Sequence, residues 1–137
     1  MNYEIDLDPT DADINEIRQG LVEHNRPFLG TVRHDKVAFY VTEQGKKKAG
    51  VTAEIIGDWL SIQYLWVDSS IRGTGIGSEL LSRVESHAKE VGCHSVLLDT
   101  FSFQAKAFYE KHGYRCHMTL ENYPSNHSKH YFTKRLV

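Results

Sequence analysis

The chain has 137 residues, of which 40% are hydrophobic and 25% are charged, with 16 Lys and Arg against 18 Asp and Glu. This composition is that of one ordinary globular domain and excludes a disordered or fibrous chain, and a core of this size forms without disulfides or metals. The formal net charge of −2 argues against a dedicated nucleic-acid binder.

Cysteine content and the N-terminal sequence indicate the compartment. Cys93 and Cys116 are too few for a secreted disulfide framework, and the acidic N-terminus lacks the apolar stretch of a signal peptide. No window approaches the run of ~18 apolar residues that a membrane span needs. We therefore expect a cytoplasmic chain without a membrane partner, folded as one domain over residues 1–137.

The first thirty residues predict a strand followed by a helix. Apolar and polar residues alternate over residues 3–7, which is the period of a half-buried strand. Helical apolar spacing then predicts a helix over residues 11–24. We expect it to end before Pro27, because proline cannot continue a helix, and we expect a loop over residues 25–30.

Three β-branched and aromatic runs follow and predict an antiparallel meander. The runs cover residues 36–42, 49–56 and 59–67, with turn residues between them. The basic run from Lys46 to Lys48 is expected in the first hairpin turn, where it faces water or weakly steers an anion.

The second half of the chain alternates helices and strands. An apolar stripe of period near 3.6 predicts a helix from Gly75 to about Gly92. A strand at residues 95–99, a short helix ending at Gly113 and two strands near residues 114–120 and 130–136 complete the order β-α-β-β-β-α-β-α-β-β. The expected fold class is mixed α/β, with a largely antiparallel, mixed central sheet flanked by helices.

The turn between the meander and the long helix carries the functional signal. Gly73, Gly75 and Gly77 permit positive φ and close approach, so that successive N–H groups at a helix N-terminus can hold a phosphate or pyrophosphate. A P-loop is disfavoured because no lysine follows these glycines, and a dinucleotide fingerprint because Ser78 replaces the last small residue. The pattern that remains is R-x-x-G-x-G, beginning at Arg72.

Two spaced motifs resemble the GNAT superfamily of acetyl-CoA-dependent N-acetyltransferases. The R-x-x-G-x-G turn resembles that family's coenzyme A pyrophosphate loop. The segment from Ser102 to Tyr114 matches the pattern N-x-x-A-x-x-x-Y-x-x-x-G-[FY], except that Ser102 replaces the asparagine. The resemblance extends from about Val37 to Val137. It implies a GNAT-like fold, acetyl-CoA as cosubstrate and no metal.

The resemblance also implies where the cofactor lies. In the family, the last meander strand splays from the strand that follows the long helix, and pantetheine occupies the gap. The implied cofactor-binding residues are Leu65, Trp66, Val67, Arg72, Gly73, Thr74, Gly75, Ile76, Gly77, Ser78, Ser102, Ala105, Phe108 and Tyr109. For Arg72, a purely solvating role at the surface stays open.

Direct acyl transfer needs a neutral amine and a group that helps the thiolate to leave. The resemblance makes Tyr109 the candidate for hydrogen-bond donation to the thiolate, with a purely structural aromatic as the alternative. An alkylamine is almost fully protonated at neutral pH, so a base or a water path is needed. Asp99, Glu54 and His24 are the candidates for that base, and the sequence does not rank them.

The acceptor is expected to lie near aromatic and polar loop residues. The candidate substrate-binding residues are His24, Phe28, Gln63, Tyr123 and His127. They suit an amine on a small molecule or a peptide, and a homodimer stays open. The predicted function is direct N-acetyl transfer to a primary amine within a ternary complex. The alternative is a noncatalytic domain that binds coenzyme A derivatives or a protein.

Eight histidines raise the question of a metal site. The pairs Cys93-His94 and Cys116-His117 match no zinc-finger or H-E-x-x-H spacing. A buried cysteine beside an exposed histidine is the commoner arrangement. We therefore expect no metal in this protein.

Overall fold

The computed structural model describes residues 1–137 as two compact units, Met1–Val32 and Arg33–Val137, and each is described by itself. The helices and strands are, in chain order, α1 (Asp11–Leu29), β1 (His34–Glu43), β2 (Lys46–Ile56), β3 (Trp59–Val67), α2 (Ile76–Glu90), β4 (Ser95–Phe101), α3 (Lys106–Lys111), β5 (Arg115–Leu120) and β6 (Lys129–Arg135). A short 3₁₀ turn, Ser69–Ile71, lies between β3 and α2.

The N-terminal unit consists mainly of α1. Its start is a capping box, in which the Thr10 hydroxyl accepts from the Asp13 N–H at 3.1 Å and the Asp13 carboxylate accepts from the Thr10 N–H at 3.0 Å. The predicted end of this helix is wrong, because α1 runs through Pro27 to Leu29. Proline in the last turn removes only one backbone hydrogen bond, and the Gly30 N–H still donates to the Arg26 carbonyl at 2.9 Å.

The strand predicted over residues 3–7 is also wrong, since no strand precedes α1. Alternation over so few residues does not supply the neighbouring strand that ladder hydrogen bonds require. All six strands of the sheet lie between His34 and Arg135.

The larger unit is built on a six-stranded sheet in the order β1-β2-β3-β4-β6-β5. The predicted meander is confirmed, and β3–β4 is the one parallel pair in an otherwise antiparallel sheet. The mixed α/β fold class is therefore confirmed, with one strand fewer than expected. The basic run does not lie in the hairpin turn: Gln44 and Gly45 make that turn with φ of 53° and 75°, and Lys46 begins β2.

The core of this unit lies between α2 and the sheet. The predicted apolar stripe is the buried face of α2, formed by Leu80, Leu81, Val84 and Ala88. It joins the buried side chains of the central strands, including Val51, Leu60, Val96 and Phe132. No helix in the structure is both long and apolar enough to span a membrane.

The parallel pair separates soon after it begins. β3 and β4 pair only at Trp59↔Ser95, Leu60↔Val96 and Ser61↔Leu97. A register shift in the β2–β3 ladder near Thr52 adds to the bend of β3 at this point. β4, in contrast, pairs with β6 along its whole length. The sheet therefore opens between β3 and β4, which confirms the predicted splay.

Candidate active site

A cleft of about 380 Å³ fills the opening between β3 and β4. Its walls are the diverging halves of the two strands and the start of α3, namely Ile62, Gln63, Tyr64, Leu65, Trp66, Leu98, Asp99, Thr100, Phe101, Gln104, Ala105 and Tyr109. Beyond Ser61, β3 has no strand partner on its β4 side. Its backbone groups on that side are free to pair with an extended ligand.

The glycine-rich loop follows directly from the end of β3. Gly73 and Gly75 have φ of 80° and 83°, the left-handed region that favours glycine. Gly75 is the N-cap of α2 and offers no capping side chain, so N–H groups of the first turn face outward without a partner. This arrangement fits an anion such as pyrophosphate.

Side chains of the loop fasten it to the preceding segment. Arg72 Nε donates to the Val67 carbonyl at 2.9 Å, and Thr74 Oγ1 donates to the Ile71 carbonyl at 2.7 Å. The guanidinium of Arg72 therefore closes the loop onto the strand end and keeps a positive charge beside it. Ile76 packs against the core and anchors the first turn of α2.

Helix α3 packs against the first turn of α2. A Cβ at Gly77 would lie 3.7 Å from Phe108 Cζ and 3.8 Å from a methyl of Val67, so the loop sits closely on both side chains. Ser78 Oγ lies 2.9 Å from His112 Nε2. The two predicted motifs are thus in contact.

Tyr109 belongs both to the core and to the cleft wall. It is 6% exposed, and its ring meets those of Phe108 and Tyr114 edge to face at 5.2 and 5.6 Å. Burial, and secondly the charge of Asp99, raises the pKa of Tyr109 to about 12. The phenol is therefore a hydrogen-bond donor at every physiological pH.

Asp99 and Glu54, the two candidate bases on the sheet, lie in different places. Asp99 lines the β3–β4 cleft and pairs with Lys129, whose Nζ is 3.6 Å from Asp99 Oδ1. Glu54 on β2 pairs with His34 Nε2 at 3.0 Å and lines a separate, open cleft of about 540 Å³. Gln63 and Tyr64 border both clefts. Asp99 therefore lines the same cleft as Tyr109, whereas Glu54 does not.

The loop between β5 and β6 is fastened to the end of β4 by aromatic contacts. Tyr123 stacks on Phe101 with centroids 6.0 Å apart, and His127 meets Phe103 edge to face at 4.6 Å. Lys129 Nζ lies 4.9 Å from the Tyr123 ring. Tyr123 thus contacts Phe101 of the cleft wall, and neither Tyr123 nor His127 lines the cleft itself.

Ser102 takes part in the same attachment. Its N–H donates to the Ser128 carbonyl at 2.8 Å, and its hydroxyl accepts from the Ser128 N–H at 3.0 Å. The side chain that replaces the family's asparagine therefore fastens the β5–β6 loop, and its hydroxyl hydrogen stays free to donate.

The remaining predicted acceptor residues fall into two places. Gln63 lines the cleft at the bend of β3. His24 and Phe28 lie on α1 in the N-terminal unit, as helical residues and not in a loop.

Sequence reasoning missed Gln104 and Thr100 in the cleft wall. Gln104 Oε1 accepts from the Phe101 N–H at 2.8 Å and from Thr100 Oγ1 at 3.3 Å, which fixes the turn into α3. Gln104 lies within the second motif and Thr100 lies just before it. Extending the predicted strand beyond residue 99 to the start of that motif would have identified both residues. No group of three or more His, Cys, Asp and Glu side chains is placed to hold a metal ion.

The comparisons with known proteins agree with one another. Residues 35–116 match the family model described as the acetyltransferase (GNAT) domain. The chain is 37% identical over 95 residues to the blasticidin-S acetyltransferase of Streptomyces morookaense, covering 69% of this chain and 70% of that protein. It is 32% identical over 119 residues to an acetyltransferase of Agrobacterium fabrum, covering 83% and 84%. A crystal structure of an acetyltransferase from Bacillus cereus matches with a TM-score of 0.84 and 39% identity, over 96% of this chain and 97% of that one.

Proposed function

The chain belongs to the GNAT acetyltransferase family, and we propose that it transfers the acetyl group of acetyl-CoA directly to a primary amine of a small molecule. It is an acyltransferase of a family that uses acetyl-CoA. The observation that carries the proposal is the opening between β3 and β4. Tyr109 lines this opening, and the glycine loop begins just after the end of β3. We further propose that residues 1–137 act as one domain in the cytoplasm.

The cofactor is proposed to bind along the loop and the cleft. The outward N–H groups at Gly75 and the first turn of α2 receive the pyrophosphate, supported by the charge of Arg72. Pantetheine lies in the cleft and pairs with the free edge of β3 near Leu65 and Val67. A backbone N–H on that edge polarises the thioester carbonyl.

Tyr109 is proposed to assist the leaving thiolate as a hydrogen-bond donor. A thiol has a pKa of ~8.5, so full proton transfer from a phenol whose pKa is about 12 costs roughly 5 kcal/mol. The phenol therefore keeps its proton while it stabilises the negative charge on sulfur. The thiolate takes its proton from solvent.

Asp99 is proposed to receive the proton of the acceptor amine through water. It lines the same cleft as Tyr109, and its Oδ1 lies 3.6 Å from Lys129 Nζ. Asp99 first takes one proton from the ammonium through water and passes it to solvent, which leaves the neutral amine. As the C–N bond forms and the C–S bond breaks, the nitrogen loses its second proton by the same water path. Glu54, paired with His34 in the neighbouring cleft, is the second candidate.

The acceptor is proposed to be a small, polar, amine-bearing molecule. The relative that is 37% identical is named for acetylation of blasticidin S, an observation that favours a small molecule over a peptide. Gln63 at the bend of β3, where the two clefts adjoin, is proposed to contact the acceptor. The aromatic layer of Tyr123 and His127 is proposed to shape the acceptor end of the cleft.

Calorimetric titration of the purified chain with acetyl-CoA, NADH and ATP tests the cofactor assignment. We expect micromolar binding of acetyl-CoA alone. A panel of blasticidin S, other amine-bearing antibiotics, amino sugars and short peptides, followed by thiol release, then tests catalysis. Binding without turnover of any acceptor would favour a noncatalytic coenzyme A-binding domain, and no binding by folded protein would refute both.

A further inference from the structure

The imidazole of His112 reaches from α3 to the first turn of α2. Ser78 is the third residue of α2, and its Oγ lies 2.9 Å from His112 Nε2. The His112 ring also contacts the Phe108 ring at a centroid distance of 4.6 Å, and Phe108 in turn lies over Gly77. Both Ser78 and His112 are half-buried. The imidazole is therefore held in one orientation, with Nε2 directed at the Ser78 hydroxyl.

The direction of this hydrogen bond decides what the hydroxyl offers to a ligand. When Nε2 carries the hydrogen, it donates to Ser78 Oγ, and the hydroxyl hydrogen is free to donate to an anion. In the opposite tautomer the hydroxyl donates to Nε2 and turns its lone pairs outward. An anion at the start of α2 selects the first arrangement, because a hydrogen bond to a charged oxygen is stronger than a neutral one.

The hydrogen bond to His112 is what fixes the Ser78 hydroxyl in one rotamer. Without the imidazole, the hydroxyl is free to rotate among its staggered rotamers, and the rotamer that points at an anion is no longer favoured. His112 thus reduces the conformational freedom that the hydroxyl would lose when it binds an anion.

We propose that His112 positions the Ser78 hydroxyl to donate a hydrogen bond to the pyrophosphate of coenzyme A. This inference rests on the proposed function and extends it to a residue outside the cleft lining. His112 does not touch the reacting atoms, so it is a positioning residue that acts on cofactor affinity.

Calorimetric titration with two probes, coenzyme A and 3′-dephospho-coenzyme A, tests this role in His112→Leu, His112→Gln and Ser78→Ala. Both probes carry the pyrophosphate, and only one carries the 3′-phosphate. We expect His112→Leu to weaken both probes about tenfold, the loss of one charge-assisted hydrogen bond. His112→Gln retains an N–H donor and should restore most of the affinity.

The double variant shows whether His112 acts through Ser78. In the Ser78→Ala background, His112→Leu should cause no further loss. Unchanged affinity in His112→Leu, additive losses in the double variant, or a loss confined to coenzyme A would each overturn the inference. If His112→Leu fails to fold, His112→Phe replaces it, because it keeps a ring against Phe108 but has no N–H donor. Absence of binding to the unmodified protein would instead refute the proposed function.

Discussion

At the scale of single residues, the chemistry depends on where two phenols lie. Tyr109 and Tyr114 pack against each other, yet only Tyr109 lines the cleft. The Tyr114 hydroxyl donates to Glu85 Oε2 at 2.6 Å, which ties it to α2. Burial raises the pKa of both phenols, so both remain protonated, and position alone makes Tyr109 the proposed donor to the thiolate.

Replacing Tyr109 by Phe is expected to lower kcat on the order of 100-fold, because the thiolate loses its hydrogen-bond donor. Steady-state assays of thiol release measure the effect, and calorimetry should show unchanged acetyl-CoA affinity. Tyr114→Phe is the matched control, with kcat retained and only stability reduced. Equal kcat in Tyr109→Phe and the unmodified protein would remove Tyr109 from the mechanism.

Asp99→Asn is expected to lower kcat/KM for the acceptor about tenfold at pH 7, because the ammonium form of the amine loses its proton acceptor. The deficit should shrink as pH rises, since a growing share of the amine is then already neutral. A pH profile of kcat/KM records both effects. Glu54→Gln serves as the comparison: a larger loss there than in Asp99→Asn would assign the base to Glu54.

At the scale of elements, the glycine loop depends on backbone conformation more than on side chains. Gly75 has φ of 83° with nothing within 4 Å of an added Cβ, and Gly45 in the β1–β2 turn has φ of 75° with equally open surroundings. An L residue at either position is therefore strained without a clash, by about 1–2 kcal/mol. The two positions differ in their place in the fold, because Gly75 caps the N-terminus of α2 and Gly45 precedes β2 in a hairpin turn.

Gly75→Ala and Gly45→Ala are accordingly expected to lower the free energy of unfolding by similar amounts. Only Gly75→Ala should weaken acetyl-CoA binding, by tenfold or more, because a shift of the α2 N-cap moves the N–H groups that face the pyrophosphate. Chemical denaturation and calorimetry measure the two effects. Similar acetyl-CoA affinity in both variants would mean that the cofactor lies elsewhere.

Elements with a strong period or a sharp boundary were predictable from the sequence. The bounds of β3 were predicted as observed, because turn residues precede it and the glycine loop follows it. The buried stripe of α2 followed from its 3.6-residue period. The strand over residues 3–7 was not real, because alternation shows which faces a strand would have and not whether it finds a partner. The end of α1 was predicted too early because of Pro27. The last turn of the helix tolerates the missing N–H of this proline.

In the candidate site, too, the features that depend on local sequence were predictable, and those that depend on tertiary packing were not. The glycine loop and Tyr109 belong to local motifs and were predicted, whereas the contact between His112 and Ser78 depends on how the end of α3 meets α2. The separation of Asp99 from Glu54 into two clefts follows from the splay and the bend of β3. Such packing relationships join residues that are distant in the chain, and single-sequence patterns do not contain them.

At the scale of the whole molecule, the buried phenols link stability to alkaline pH. The unfolded chain releases a phenolic proton near pH 10, whereas burial raises the pKa of Tyr109 in the folded state to about 12. Between these values the unfolded state binds fewer protons, so the free energy of unfolding falls as pH rises. Two pKa units correspond to a fall of roughly 3 kcal/mol in the free energy of unfolding between pH 10 and about pH 12, because burial penalises the ionised phenol.

Tyr109→Phe should therefore reduce the slope of stability against pH in this alkaline range, although its stability at pH 8 changes little. Urea unfolding followed at several pH values from 8 to 11 measures the slope in both proteins. Tyr40→Phe, at a phenol that is 56% exposed, is the matched control and should leave the slope unchanged. Parallel curves for Tyr109→Phe and the unmodified protein would show that the Tyr109 phenol ionises in the folded state as it does in the unfolded chain, which would contradict its burial in the cleft wall.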